Sequence, residues 1–228
     1  KNSAHKIIIY AVSVRFAGFD TQDDGTQGLL RGYLERGEID HLIDEPNDIS
    51  EIQARGSALI WLKEQGAEAT IMWDGDEVSD VGPLAQMLLF VESNPWICWY
   101  RIAYKNLVFD ENIYLVDPFC PPRIHLMNPN GFEAAGFNQD NDVYYRRLTD
   151  GSMVDQSQLS SMVIPTNIIN PLHYSWLSNE RSKKKIEYQI KRWGDACSFR
   201  WDDTRGLIFN PNLPTPKTAR LEEKEKEN

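Results

Sequence analysis

The sequence has few cysteines, no cysteine-pair motif and no long hydrophobic run. Cys98, Cys120 and Cys197 leave one residue over if paired and form no CxxC motif, so neither a disulfide framework nor a structural zinc knuckle fits. No apolar run approaches the roughly 20 residues that a membrane-spanning helix needs, and no signal-peptide pattern follows Lys1. These absences predict a soluble protein of the reducing cytoplasm without a transmembrane segment.

Positive charge is also in short supply. The 228 residues include 24 Lys and Arg against 34 Asp and Glu, a net charge of −10, which disfavours nonspecific binding to nucleic acid. A P-loop lysine, a Rossmann glycine fingerprint and a nucleophile elbow are all absent. At 41% hydrophobic residues, the chain can still bury a substantial core.

The first part of the sequence alternates between predicted strands and helices. The predicted elements are a strand over 6–12, a helix through 29–34, a strand at 41–43, a helix opened by the Ser50–Gln53 capping box, a strand over 69–73 and a helix through 84–91. Such alternation favours an α/β fold with a mainly parallel central sheet flanked by helices.

The remainder of the chain follows a different pattern. Short aromatic strands broken by Pro and Gly predict an irregular β portion on the same sheet, and residues 178–193 form a strongly basic predicted helix. We therefore expect a single domain with an α/β half over 1–95 and a second half over 96–214. The charged tail over 215–228 is predicted to be disordered.

Three carboxylates, Asp74, Asp76 and Glu77, directly follow the predicted strand at 69–73. Like charges this close repel at a cost in stability unless a cation or hydrogen-bond donors offset the repulsion. A divalent metal is the natural partner, and oxygen ligands favour Mg²⁺ or Mn²⁺ completed by substrate phosphate. The alternative is a solvated turn, since Asp-Gly is a common turn dipeptide. His173 precedes the basic helix and could complete such a site, although a lone histidine is more often a packing residue.

Four segments in this order resemble the GT-A glycosyltransferases, particularly the family-2-like nucleotide-sugar enzymes. They are KIIIYAV with the later DDGT loop, SEIQARGSALIWLKEQGAEATIMWDGDEV with its DxD signature, PPRIHLMN, and LHYSWLSNERSKKKIEYQ with a late histidine and basic helix. The resemblance spans roughly residues 6–193. One departure is Ser13, which stands where the family usually has a base-reading Asp.

The resemblance implies a GT-A fold and metal-dependent transfer of a sugar from a nucleotide-diphosphate donor to an acceptor glycan or another hydroxyl-bearing molecule. By this likeness, Asp74, Asp76 and His173 would hold Mn²⁺ or Mg²⁺ against the donor diphosphate. The implied nucleotide contacts are Ser13, Asp23, Asp24, Arg55, Asp74 and Lys185.

An inverting transfer needs a base for the acceptor hydroxyl. In GFEAAGFNQDND the candidates are Glu133, then Asp140 and Asp142, although a carboxylate in such a segment is more often a surface residue than a base. Two other functions fit parts of the pattern. A nucleotidyltransferase would also use paired carboxylates and a cation, and a non-catalytic sugar- or nucleotide-binding module would keep the fold without turnover.

Overall fold

The structure is a computed structural model that describes residues 7–16, 25–116, 120–138, 142–177 and 180–221. Its helices are α1 (Thr26–Glu35), α2 (Glu51–Glu64), α3 (Val81–Glu92) and α4 (Glu180–Trp193). Its strands are β1 (Tyr10–Phe16), β2 (His41–Ile49), β3 (Ala69–Ile71), β4 (Glu77–Val78), β5 (Trp99–Arg101), β6 (Lys105–Phe109), β7 (Ile113–Leu115), β8 (Pro122–Leu126), β9 (Phe132–Phe137), β10 (Val143–Arg147), β11 (Met153–Asp155), β12 (Ser161–Val163), β13 (Leu172–Leu177), β14 (Phe199–Asp202), β15 (Gly206–Phe209) and β16 (Thr218–Arg220).

The strands are distributed over several small sheets. Their orders are β1-β2, β11-β10-β9, β12-β5-β8-β3, β16-β7-β6-β13-β4 and β14-β15. The pairs β1–β2 and β6–β13 are parallel, whereas β3–β8, β4–β13, β9–β10 and β14–β15 are antiparallel. The protein is therefore a mixed α/β structure with many short strands in small sheets rich in antiparallel pairs.

This arrangement corrects the predicted fold class. The expected GT-A fold with a mainly parallel central sheet is wrong, because the strands that alternate with helices do not share one sheet. β1 pairs with β2, β3 joins β8 and β4 joins β13. Alternation along the chain reflects local preferences, whereas tertiary packing decides which strands pair. The short strands between 96 and 169 are likewise divided among different sheets.

The first apolar run, predicted as a buried strand over 6–12, is more exposed than expected. A strand covered on both faces was expected at 6–12, yet β1 begins only at Tyr10, and Ile7 and Ile9 ahead of it are 41% and 39% exposed. In β1 itself, Tyr10, Ala11 and Val12 are half-buried. The described side chains of this run are therefore less enclosed than those of a strand covered on both faces.

The helix predictions are confirmed. Ser50 and Gln53 form the capping box of α2, in which the Ser50 Oγ accepts from the Gln53 amide at 3.1 Å and the Gln53 Oε1 accepts from the Ser50 amide at 2.9 Å. α1, α3 and α4 also lie where the sequence places them. The length and apolar character that a helix needs to cross a bilayer are not found together in any helix of the described ranges.

The chain divides into two compact units, and each takes segments from both sides of the predicted boundary at 95/96. Unit 1 comprises the described parts of Lys1–Met72, Asn94–Tyr100 and Pro122–Met162. Its core packs the inner face of α2 against β9 and β10, as shown by the buried cluster of Leu59, Met127, Ala134, Phe137, Val143 and Tyr145.

Unit 2 comprises the described parts of Trp73–Ser93, Arg101–Pro121 and Val163–Asn228. Its core gathers residues of β6, α4, β14 and β15, with Val108, Ile186, Phe199 and Leu207 buried together. Thr218–Arg220 pairs with β7 as β16, so part of the predicted disordered tail is a strand. Residues 222–228 lie outside the described ranges.

A titratable imidazole is fully buried in unit 1. His125 on β8 is 0% exposed, and its Nδ1 lies 3.5 Å from the Tyr145 hydroxyl. Burial, followed by the positive charges of Arg55 and Arg123, lowers the pKa of His125 from 6.5 to about 3. The folded protein therefore holds this imidazole in its neutral form.

This burial predicts a pH dependence of stability. Between the ordinary pKa of 6.5 and the folded pKa of about 3, the unfolded chain binds a proton that the folded chain excludes, so the free energy of unfolding falls as pH falls. The expected slope is roughly 1.4 kcal/mol per pH unit. In urea unfolding experiments, His125→Gln should reduce the slope below pH 6.5, and parallel profiles for the two proteins would contradict this assignment.

Candidate metal and phosphate site

The acidic segment after β3 forms a tight turn in unit 2. The Glu77 amide donates to the Asp74 carbonyl at 3.0 Å, and the indole Nε1 of Trp73 donates to the Glu77 carbonyl at 2.8 Å. A Cβ added to Gly75 would meet no atom within 4 Å. The turn is therefore closed by hydrogen bonds, and close packing at Gly75 plays no part in it.

The Glu77 carboxylate holds this turn from inside. Glu77 is only 5% exposed, and its Oε2 accepts from the Asp74 amide at 3.1 Å and from the Tyr104 hydroxyl at 3.0 Å. A buried carboxylate needs such donors to offset the loss of hydration. The third member of the acidic cluster thus anchors the loop.

A row of polar side chains crosses β4, β13 and β6 beside the turn. In register, His173 on β13 has Glu77 of β4 on one side and Asn106 of β6 on the other. Directly opposed residues of neighbouring strands project from the same sheet face. His173 and Asn106 are both buried, and His173 Nδ1 lies 2.5 Å from Asn106 Oδ1.

Asp76 meets this row from the turn. Its carbonyl accepts from the Tyr174 amide at 2.9 Å, which ties the turn to β13. Its Oδ1 lies 3.6 Å from His173 Nε2 and its Oδ2 lies 3.9 Å from Lys185 Nζ. The structure therefore brings together three residues predicted from the sequence: Asp76, His173 and Lys185.

The predicted metal-ligand set is only partly gathered. Asp74 contributes backbone hydrogen bonds to the turn, as its amide donates to Glu77 and its carbonyl accepts from Glu77. Within the described ranges, no group of three or more His, Cys, Asp or Glu side chains forms a site that could hold a metal ion by itself. Two of the predicted ligands do face each other, since the Asp76 Oδ1 atom lies 3.6 Å from His173 Nε2.

Lys185 reaches Asp76 from the basic helix α4. Ile186 beside it is buried in the unit 2 core, and the Ser182 hydroxyl donates to the Leu177 carbonyl at the end of β13. The Lys185 ammonium also lies 5.0 Å from the centroid of the Trp176 ring. Core packing, the Ser182 contact and the indole face thus place this positive charge next to the turn.

A cleft of about 140 Å³ lies on the other side of the same strands. Val78, Leu172 and Lys105 line it and form one register row across β4, β13 and β6. Successive residues of a strand point to opposite faces, so this cleft faces away from the row that contains His173. The carboxylate, imidazole and ammonium groups of the candidate site do not line it.

Of the implied nucleotide contacts in the described ranges, Ser13 and Arg55 belong to unit 1, whereas Asp74 and Lys185 belong to unit 2. Arg55 on α2 pairs with Glu51 at the i,i+4 spacing. Ser13 lies on β1 in register with Asp44 of β2, and its side chain is not among those described. Asp23 and Asp24 lie outside the described residues. Their predicted contacts with a nucleotide stay predictions.

The candidate bases also belong to unit 1. Glu133 on β9 forms ion pairs with Lys63 and Arg146, and hydrogen bonds from these two side chains lower its pKa. A carboxylate with a lowered pKa binds a proton less readily, so it is a weaker general base. The Asp142 carboxylate accepts a hydrogen bond from Gln156 Nε2, and Asp140 lies outside the described residues.

Sequence reasoning missed two residues that shape the site. Asn106 lies within hydrogen-bond distance of His173, and Tyr104 donates to Glu77. A signal for Asn106 was available, since it is a lone amide in the AYKNLVF stretch, and a polar residue in a buried strand needs a partner. Tyr104 carried no such signal, because aromatic residues in this region fit a core equally well.

Comparisons of the chain with protein-family models, curated proteins and solved structures give no match.

The Tyr104–Glu77 contact predicts a loss of stability. Tyr104→Phe removes the donor from a buried carboxylate and should lower the free energy of unfolding by about 1.5–3 kcal/mol, measured by urea unfolding. Tyr114→Phe is the matched control, because the structure gives the Tyr114 hydroxyl no hydrogen bond within the described ranges, and its effect should stay within about 0.5 kcal/mol. Equal effects of the two changes would contradict the role assigned to Tyr104.

Proposed function

We propose that unit 2 binds a divalent cation between Asp76 and His173, and that this cation holds the diphosphate of a nucleotide-sugar donor whose sugar is transferred to an acceptor hydroxyl. The observation that carries the proposal is the Asp76 carboxylate between an imidazole and an ammonium group, at 3.6 and 3.9 Å. The turn and the β4, β13 and β6 strands hold these groups in place.

The Asp76–His173 distance suits two ligands of one ion. At 3.6 Å between Oδ1 and Nε2, the contact is too long for a hydrogen bond. Ligand atoms about 2.0–2.2 Å from a shared ion lie roughly 3.0–3.5 Å apart. A small movement of either side chain reaches that spacing, and an imidazole nitrogen favours Mn²⁺ over Mg²⁺.

Two protein ligands leave most of the coordination shell of the cation to water and substrate. Mg²⁺ sites often use one or two carboxylates together with substrate phosphates. Lys185 adds a positive charge beside Asp76, as a phosphate-binding lysine would. These features favour a phosphorylated ligand.

When bound, the cation supplies Lewis-acid stabilisation of the charge that develops on the leaving nucleoside diphosphate. Asp76 and His173 position it, and Lys185 neutralises a diphosphate oxygen. The base for the acceptor hydroxyl stays a prediction from the sequence and forms no part of the proposed site in unit 2. The ion pairs of Glu133 with Lys63 and Arg146 disfavour Glu133 in that role.

Calorimetric titration tests the site directly. We expect Mn²⁺ to bind the wild-type protein, and one nucleoside diphosphate to bind only with Mn²⁺ present. Asp76→Asn should weaken Mn²⁺ binding at least tenfold, about 1.4 kcal/mol, because it removes the negative ligand. The matched control is Asp80→Asn, since Asp80 is an exposed acidic residue of unit 2 whose side chain makes no capping hydrogen bond to α3.

Release of nucleoside diphosphate from a nucleotide sugar, followed in a coupled assay with a panel of acceptors, tests turnover. Cation-dependent binding of a nucleotide without release of nucleoside diphosphate would favour a non-catalytic binding module. The positive charge of Lys185 beside Asp76 also suits such a module, because the module would hold the same phosphate. Wild-type protein that is folded but binds neither Mn²⁺ nor any nucleotide would overturn the proposed function.

Replacing Lys185 should change the affinities for Mn²⁺ and for the nucleoside diphosphate in opposite directions. Lys185→Met removes the positive charge 3.9 Å from Asp76, so Mn²⁺ alone should bind several-fold more tightly while the nucleoside diphosphate binds at least tenfold more weakly in saturating Mn²⁺. Lys184→Met, on the exposed side of α4, should change neither affinity by more than about twofold. Parallel changes in both affinities for Lys185→Met would show that Lys185 does not contact phosphate.

A further inference from the structure

We propose that Asn106 is a positioning residue that fixes the ring orientation and tautomer of His173, so that Nε2 presents its lone pair toward Asp76 and a bound cation. This inference rests on the proposed function, because the tautomer of His173 has a role only if Nε2 binds the proposed cation. Asn106 itself contacts neither cation nor substrate in this scheme and acts only through the imidazole.

The hydrogen bond between the two side chains is enclosed. Asn106 is 5% exposed and His173 is 8% exposed, so water competes little for the 2.5 Å contact between Oδ1 and Nδ1. Both strands are interior to their sheet, with β6 between β7 and β13 and β13 between β6 and β4. Their backbone pairing fixes the register that brings the amide to the imidazole.

The chemistry of the amide selects the tautomer. The Oδ1 atom of Asn106 only accepts, so the Nδ1 atom of His173 must donate to it, and in a neutral imidazole the lone pair is then on Nε2. Nε2 is the ring atom 3.6 Å from Asp76 Oδ1. A lone pair and a carboxylate oxygen repel each other at this separation unless a cation or proton lies between them.

The surroundings of His173 also restrict rotation of the ring. The Tyr104 ring packs against the imidazole with centroids 5.9 Å apart, and the Tyr104 hydroxyl is held by Glu77. Glu77 in turn holds the turn that carries Asp76. Asn106 and Glu77 thus orient the two facing ligands from opposite sides of His173, as outer-shell partners do in metal sites.

Nitrogen-15 NMR of the His173 imidazole in the cation-free protein provides the direct test. The wild-type protein at about pH 8 should show a protonated Nδ1 and an unprotonated Nε2. Asn106→Leu, which is close in size and lacks the acceptor, should lose this preference and bind Mn²⁺ about 10–100-fold more weakly. Asn106→Asp retains the acceptor oxygen and should restore both the tautomer and most of the affinity.

Asn170→Leu is the matched control, because Asn170 lines the cleft on the other sheet face; it should alter neither signal. Circular dichroism and thermal melting confirm that each variant is folded. A wild-type imidazole protonated at Nε2, or an Asn106→Leu variant with unchanged tautomer and affinity, would overturn the role of Asn106. A wild-type protein with the expected tautomer but no Mn²⁺ binding would support the positioning contact and overturn the proposed function.

Discussion

The buried carboxylate of Glu77 is the group on which the candidate site depends. Its Oε2 accepts from the backbone amide of Asp74 and from the hydroxyl of Tyr104, and its strand pairs with β13 beside His173. A charge removed from water is stable only when donors replace its hydration. The Glu77 contacts therefore fix the turn, and the turn places Asp76.

From this anchor, the site is organised by complementary polar groups that lie close together. Asp76 approaches His173 from the turn and Lys185 from α4, while Asn106 holds the far side of the imidazole. The described contacts divide the acidic cluster by role, since Glu77 supports the structure and Asp76 faces the imidazole and ammonium. Repulsion within the cluster is limited because Glu77 is directed into the protein and accepts internal hydrogen bonds.

The sequence located the helices and some of the polar residues of the candidate site but misjudged the sheet. The Ser50–Gln53 capping box is a local signal, since a cap is satisfied by residues three apart, and α2 begins there. The apolar run of β1 carried no information about its partner, which within the described residues is β2. Likewise, nothing in the short segment that forms β3 specifies its antiparallel pairing with β8.

By itself, the sequence pointed to Asp76 and His173 as candidate ligands, because carboxylate and imidazole chemistry belongs to the side chains, and the family resemblance added Lys185. It also determined the start of α2, because the capping hydrogen bonds of Ser50 and Gln53 close within one turn. Only the tertiary structure decided that Glu77 is an internal anchor, that Asn106 holds His173, and that Glu133 is tied to Lys63 and Arg146. These roles depend on strand register and on contacts between residues far apart in the chain, which no local pattern encodes.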